Sequence, residues 1–112
     1  MRRSTKSAQR GVRQLHFVCN AAGTAVTGLD SLQVSLADTG VGIKTITLSE
    51  GFAAADYVVQ VTVGTADTTV DSVVITNSST FVITTVDATD GVTDKDAICY
   101  VSVIGSDVSD RY

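Results

Sequence analysis

The chain has 112 residues and a formal net charge of −4, with one histidine, two cysteines, no proline and no tryptophan. That length fits one domain and leaves no room for a catalytic domain beside a separate substrate domain. Its longest apolar runs span only a few residues, far short of the roughly 18 a membrane-crossing helix needs.

Valine, isoleucine and threonine supply 18, 6 and 16 residues, a β-branched share about twice that of an average soluble chain, which argues for β-sheet. Met1-Arg2-Arg3 resembles the basic start of a signal peptide, but polar residues follow where a hydrophobic stretch is required, so export by that route is not expected. Arg2, Arg3, Lys6, Arg10 and Arg13 fall within the first 13 residues, which contain no acid. Residues 14–112 hold three basic and twelve acidic residues. This division predicts a basic arm, 1–13, on an acidic body, 14–112. A short cationic Ser/Gln-containing segment buries too little apolar surface to offset its ordering entropy, so the arm is expected to be flexible until a partner orders it.

Period-two alternation along the body predicts seven strands, because successive side chains of a strand point to opposite faces. Val12 to Cys19 places Leu15, Phe17 and Cys19 on one face, and Ser31 to Ala37 does the same for Leu32, Val34 and Leu36. Lys44 to Leu48 carries Ile46 and Leu48. Tyr57 to Val63 alternates Tyr57, Val59, Val61 and Val63 with Val58, Gln60 and Thr62, and is expected to be a central strand. Asp71 to Thr76 and Thr80 to Val86 flank the turn Asn77-Ser78-Ser79 as a hairpin, with Val73 and Ile75 facing Phe81 and Ile83. Ala97 to Ile104 is apolar on both faces and is expected to be buried. No segment keeps a helical period, and Phe52 to Asp56 allows at most one turn.

Seven short strands with polar or glycine-containing links suggest an all-β fold, an antiparallel β-sandwich of jelly-roll-like type, since two sheets must cover each other's apolar faces. No proline protects an edge strand, and an open edge pairs readily with another chain, which favours a homo-oligomer.

The residues offer little chemistry. His16 has no second histidine with which to share a metal, and it lies inside a predicted strand. Cys19 and Cys99 are 80 residues apart, outside any CxxC pattern, and read as two buried thiols. A bridge between them requires Cα atoms within about 7 Å. Asp87 to Asp96 contains four aspartates, but lacks the glycine spacing and terminal glutamate of an EF-hand, so a structural loop is the stronger reading. No phosphate-binding glycine loop is present. An enzyme is not expected for want of a catalytic constellation, and no cofactor is implied.

Several segments carry a likeness to known proteins. Gln9-Arg10-Gly11-Val12-Arg13, Val26-Thr27-Gly28-Leu29-Asp30, Asp38-Thr39-Gly40-Val41-Gly42, Thr45-Ile46-Thr47-Leu48 and Phe52 to Val59 resemble small structural proteins of tailed bacteriophages. Val86 to Gly91, Asp94-Lys95-Asp96-Ala97, Val103 to Asp107 and Asp110-Arg111-Tyr112 are similar to the tail of short virion proteins, notably of marine podoviruses. The resemblance implies a head decoration, or cement, protein. Such a protein is a β-rich module, often trimeric, made in the host cytoplasm and seated on the outer surface of the phage head. Its partner would be the major capsid protein, with Arg2, Arg3, Lys6, Arg10 and Arg13 as the fastening residues. The alternative is a tail-fibre or receptor-binding tip that contacts host surface glycans through the loops Asn20 to Asp30 and Asp87 to Asp96. Nucleic acid is disfavoured as a partner, because the acidic body would repel a duplex and no aromatic residue is interleaved with the arginines.

Overall fold

The computed structural model describes residues 12–106. The described residues form eight strands: β1 (Arg13–Cys19), β2 (Val26–Thr27), β3 (Val34–Gly40), β4 (Ile43–Leu48), β5 (Val58–Val63), β6 (Thr68–Ile75), β7 (Thr80–Asp87) and β8 (Cys99–Gly105). They build two four-stranded sheets, ordered β2-β1-β8-β5 and β3-β4-β7-β6, and every pairing is antiparallel. The fold is an all-β sandwich.

Each sheet turns one set of alternate residues inward. Leu15, Phe17 and Cys19 from β1 and Cys99, Val101 and Val103 from β8 meet Ile46 and Leu48 from β4 and Phe81 and Ile83 from β7. Phe81 and Ile83 are fully enclosed, and removing such side chains from water contributes about 1.5–3 kcal/mol each. Phe52 and Tyr57 close one end of this core, stacked with ring centroids 4.9 Å apart and planes inclined by 27°.

The β6–β7 hairpin has the expected register, Val73 opposite Ile83 and Ile75 opposite Phe81. Its turn is held by Asn77, whose Oδ1 accepts from the amides of Ser79 and Thr80, both at 2.9 Å. β6 starts at Thr68, earlier than the alternation suggests, because an irregularity between Val70 and Ser72 shifts the pattern at Asp71.

Three expectations are corrected. Ser31–Gln33 is a 3-10 turn, and Leu32, expected inside, is 98 % exposed. Asp30 diverts the chain there. Its carboxylate accepts the His16 amide at 2.7 Å, its own amide donates to the His16 carbonyl at 3.0 Å, and its carbonyl accepts from Gln33. β5 is an edge strand, not a central one, with Val58, Gln60 and Thr62 all facing solvent. The short β2 is an eighth strand that two residues could not announce by periodicity.

Register defines two poles. Arg13 is opposite Gly105, Phe52 donates its amide to the Ser78 carbonyl, and the Tyr57 hydroxyl lies 3.0 Å from the Asn77 carbonyl, so these residues share the lower pole. At the upper pole β1 and β8 meet at Cys19 and Cys99, and Ala88 donates to the Asp67 carbonyl. The Asp87–Asp96 segment packs there over Val86, through a bridge to Asp94.

Candidate functional site

Arg13, expected as the last residue of the basic arm, is the first residue of β1 and belongs to the body. Its guanidinium donates to the carbonyls of Glu50 at 2.7 Å and Gly51 at 3.1 Å, lies 3.5 Å from the Glu50 carboxylate, and covers the Phe52 ring at 4.4 Å. A planar fork with an aromatic surface beneath it is an arrangement lysine cannot reproduce. These contacts spend the side chain inside the domain, which removes Arg13 from the set of free fastening residues. Arg2, Arg3, Lys6 and Arg10 lie outside the described residues. What Arg13 does fix is where the preceding segment joins the sandwich: at the lower pole, beside Glu50.

The upper pole carries Asp67, Asp87, Asp90, Asp94 and Asp96 against Lys95. Asp87 and Asp90 serve their own loop. Asp90 accepts from the Thr93 hydroxyl at 2.6 Å and from the amides of Val92 and Thr93 at 2.9 and 3.0 Å, and these bonds hold its carboxyl down at about 2. Asp87 is likewise lowered, chiefly by the Thr89 amide at 2.8 Å. Asp96 accepts the Gly42 amide at 2.7 Å. Among the described residues no three His, Cys, Asp or Glu side chains converge as metal ligands.

Cys19 and Cys99 face each other across the β1–β8 ladder, and both are free thiols. The His16 amide and carbonyl are both directed to Asp30, away from β8, and hydrogen-bonded pairs alternate along an antiparallel ladder. Cys19, three residues on, is therefore in a hydrogen-bonded pair, where Cα atoms lie about 5.5 Å apart. That separation is compatible with a disulfide. Burial, then the neighbouring Cys99, pushes the Cys19 thiol up to about 12, although Lys44 opposes the shift, and burial raises Cys99 as well. We expect neither thiol to react measurably with Ellman reagent at pH 8 in the folded protein. Both should react when denaturant is added, and rapid reaction of the native protein would contradict this burial.

Lys44, overlooked as a core residue, lies between these cysteines and the upper loops. Its side chain is 2 % exposed, and its Nζ donates to the carbonyls of Ala97 at 2.9 Å and Ala21 at 3.3 Å. The signal was present: Lys44 has the same parity as Ile46 and Leu48.

No family model matches the chain, and neither curated proteins nor solved structures match it.

The outer face of the β1–β8–β5 layer holds an open cavity of about 370 Å³, floored by His16, Val18, Tyr100, Ser102, Gln60 and Thr62 and rimmed by Gly28 and Leu29. His16 Nδ1 lies 3.1 Å from Ser102 Oγ, and Nε2 lies 3.4 Å from Gln14 Oε1. A serine beside an imidazole invites a nucleophile reading, but the third partner is a neutral amide that cannot stabilise an imidazolium as a carboxylate does. The Ser102 amide also belongs to the ladder with Gln60: Gly64 donates to the Ile98 carbonyl, so even-numbered residues of β8 turn their backbone groups toward β5. The Ser102 amide is therefore not free to contribute to an oxyanion hole.

Proposed function

We propose that this chain is a phage head decoration protein that binds the outer surface of the capsid lattice and docks through its basic N-terminal segment. The observation that carries the reading is the separation of charge along the sandwich. The segment bearing Arg2, Arg3, Lys6 and Arg10 joins the body at the lower pole, fixed there by Arg13, while five aspartates occupy the upper pole. A cationic segment that joins the body at the pole opposite its aspartate-rich loops is separated from their attraction by more than a screening length, and can be drawn to acidic or carbonyl-rich sites on a neighbouring protein. The likeness of the sequence to short virion proteins supplies the partner, the major capsid protein. It also supplies a trimer as the favoured assembly.

Self-association has a candidate surface. β5 and β6 are the terminal strands of their sheets on the same side of the sandwich, and each exposes a valine, Val58 and Val74, above 50 %. No proline blocks either edge, so a second copy can add to it. Oligomerisation multiplies weak arm contacts by valency. A protein that binds the assembled shell but not its dissociated subunits then shifts the equilibrium toward the shell by mass action.

Quantitative protein analysis of purified particles tests the location. The reading predicts copies in proportion to the major capsid protein on filled heads freed of tails. A few copies that follow the tails would place the protein in a tail fibre or receptor-binding tip.

A further inference from the structure

We propose that the cavity on the outer face of the β1–β8–β5 layer is a binding site for a neutral saccharide, with Tyr100 as its stacking platform. The inference is independent of how the protein attaches to a particle.

Tyr100 is 50 % exposed although it sits on the central strand of its sheet. Its ring lies across the backbone of Gly64, where any Cβ would come within 2.5 Å of Cε2 and 3.2 Å of the hydroxyl. Glycine at this position therefore lets the ring lie flat at the end of β5. The imidazole of His16 is oriented by Ser102 and Gln14. An aromatic platform and an oriented ring with neighbouring hydroxyl and amide groups form a site that is largely built before a ligand arrives, which lowers the ordering cost of binding.

The chemistry of the lining selects the ligand. Gln60, Thr62 and Ser102 offer both donors and acceptors, and among the described residues no aspartate, glutamate, lysine or arginine lines the cavity. Anionic ligands such as phosphates or nucleic acid find no lysine or arginine there among the described residues, and the acidic body disfavours them further. An extended peptide would pair with a sheet edge, whereas this site is on a sheet face whose backbone groups are already bonded. A pyranose fits both features. Its apolar C–H face packs on the Tyr100 ring, and its hydroxyls exchange bonds with Gln60, Thr62, Ser102 and His16. The volume suits a mono- or disaccharide, at the small end of ligand cavities.

The test uses amide NMR spectra of the full chain titrated with methyl glycosides of glucose, galactose, mannose and N-acetylglucosamine. At least one glycoside should shift the amides of His16, Gln60, Thr62, Tyr100 and Ser102 at millimolar concentration, and the affinity should be insensitive to salt. Tyr100→Ala should weaken binding about tenfold or more, while Tyr100→Phe should retain it within about threefold. Gly64→Ala, which touches no ligand but displaces the ring, should weaken it too. Absence of shifts at this face with all four glycosides would overturn the proposal. So would conversion of an oligomer to a monomer by Tyr100→Ala in sedimentation, which would assign the face to a second copy.

Discussion

Replacing Lys44 with alanine is expected to remove about 3–4 kcal/mol of folding stability, a large part of the 5–15 kcal/mol typical of a domain. The side chain is nearly fully enclosed, and its alkyl stem occupies the inward face of β4 beside Ile46, opposite Ile83. Deleting a stem of that size costs about 2–5 kcal/mol in lost burial and cavity. The carbonyls of Ala97 and Ala21 lose their donor as well, at about 1–3 kcal/mol for a buried orphan. Release of a lysine head group from burial offsets part of the sum, which is why the expected figure lies below the simple total. Lys44→Met separates the contributions, because it keeps the stem and loses the donor. Denaturant midpoints should fall in the order wild type, Met, Ala, with Met within about 2 kcal/mol of wild type. A methionine variant more stable than wild type would show that desolvation outweighs the two bonds.

Gly42→Ala should cost about 3 kcal/mol or more, while Gly91→Ala should cost about 1 kcal/mol. The two glycines have nearly the same left-handed backbone, φ +72 and +71, so the conformational penalty is common to both. What differs is the surrounding space. A Cβ on Gly42 would come within 2.5 Å of the Thr85 carbonyl and 2.8 Å of the Lys95 amide, whereas nothing lies within 4 Å at Gly91. Gly42 sits where β4, β7 and the Asp87–Asp96 segment are tied together. Its carbonyl accepts the Thr85 amide at 2.8 Å, its amide donates to Asp96, and the Thr85 hydroxyl donates to the Lys95 carbonyl at 2.7 Å. Accommodating one methyl group means opening that cluster. Thermal unfolding of both variants measures the difference, and equal losses would locate the effect in φ alone.

The parity of side chains along a strand was legible because it is local. Leu15, Phe17 and Cys19 point inward, and the hairpin register at Val73 and Ile75 follows from a short turn whose Asn77 is its own scaffold. Neighbourhood between strands was not legible. The chain crosses from one sheet to the other after β2, β4, β5 and β7, and no local pattern says that β5 ends at an edge while β8 takes the middle. Leu32 was misplaced because its alternation continued that of β3, although Asp30 holds the preceding turn to β1. Charge also misled. Arg13 reads as the last cation of a basic run, and only the Glu50–Phe52 turn, 37 residues away along the chain, draws it into the body. Lys44 was hidden by the same habit of reading charge as surface. Tyr100 required the fold itself, because both faces of its strand are apolar enough to face inward and only the packing of Cys99, Val101 and Val103 turns it outward.

The docking mechanism is tested most directly by measuring how the full chain and a variant lacking residues 1–12 bind phage heads stripped of this protein. Four cations at about 0.7 kcal/mol each amount to roughly a hundredfold in affinity per copy, before valency multiplies it. The account predicts a loss of at least that size. It also predicts a steep fall of full-length binding with added salt and a melting temperature of the truncated body within about 2 °C of the parent. Undiminished binding by the truncated protein, with the same salt dependence, would contradict attachment through the basic segment.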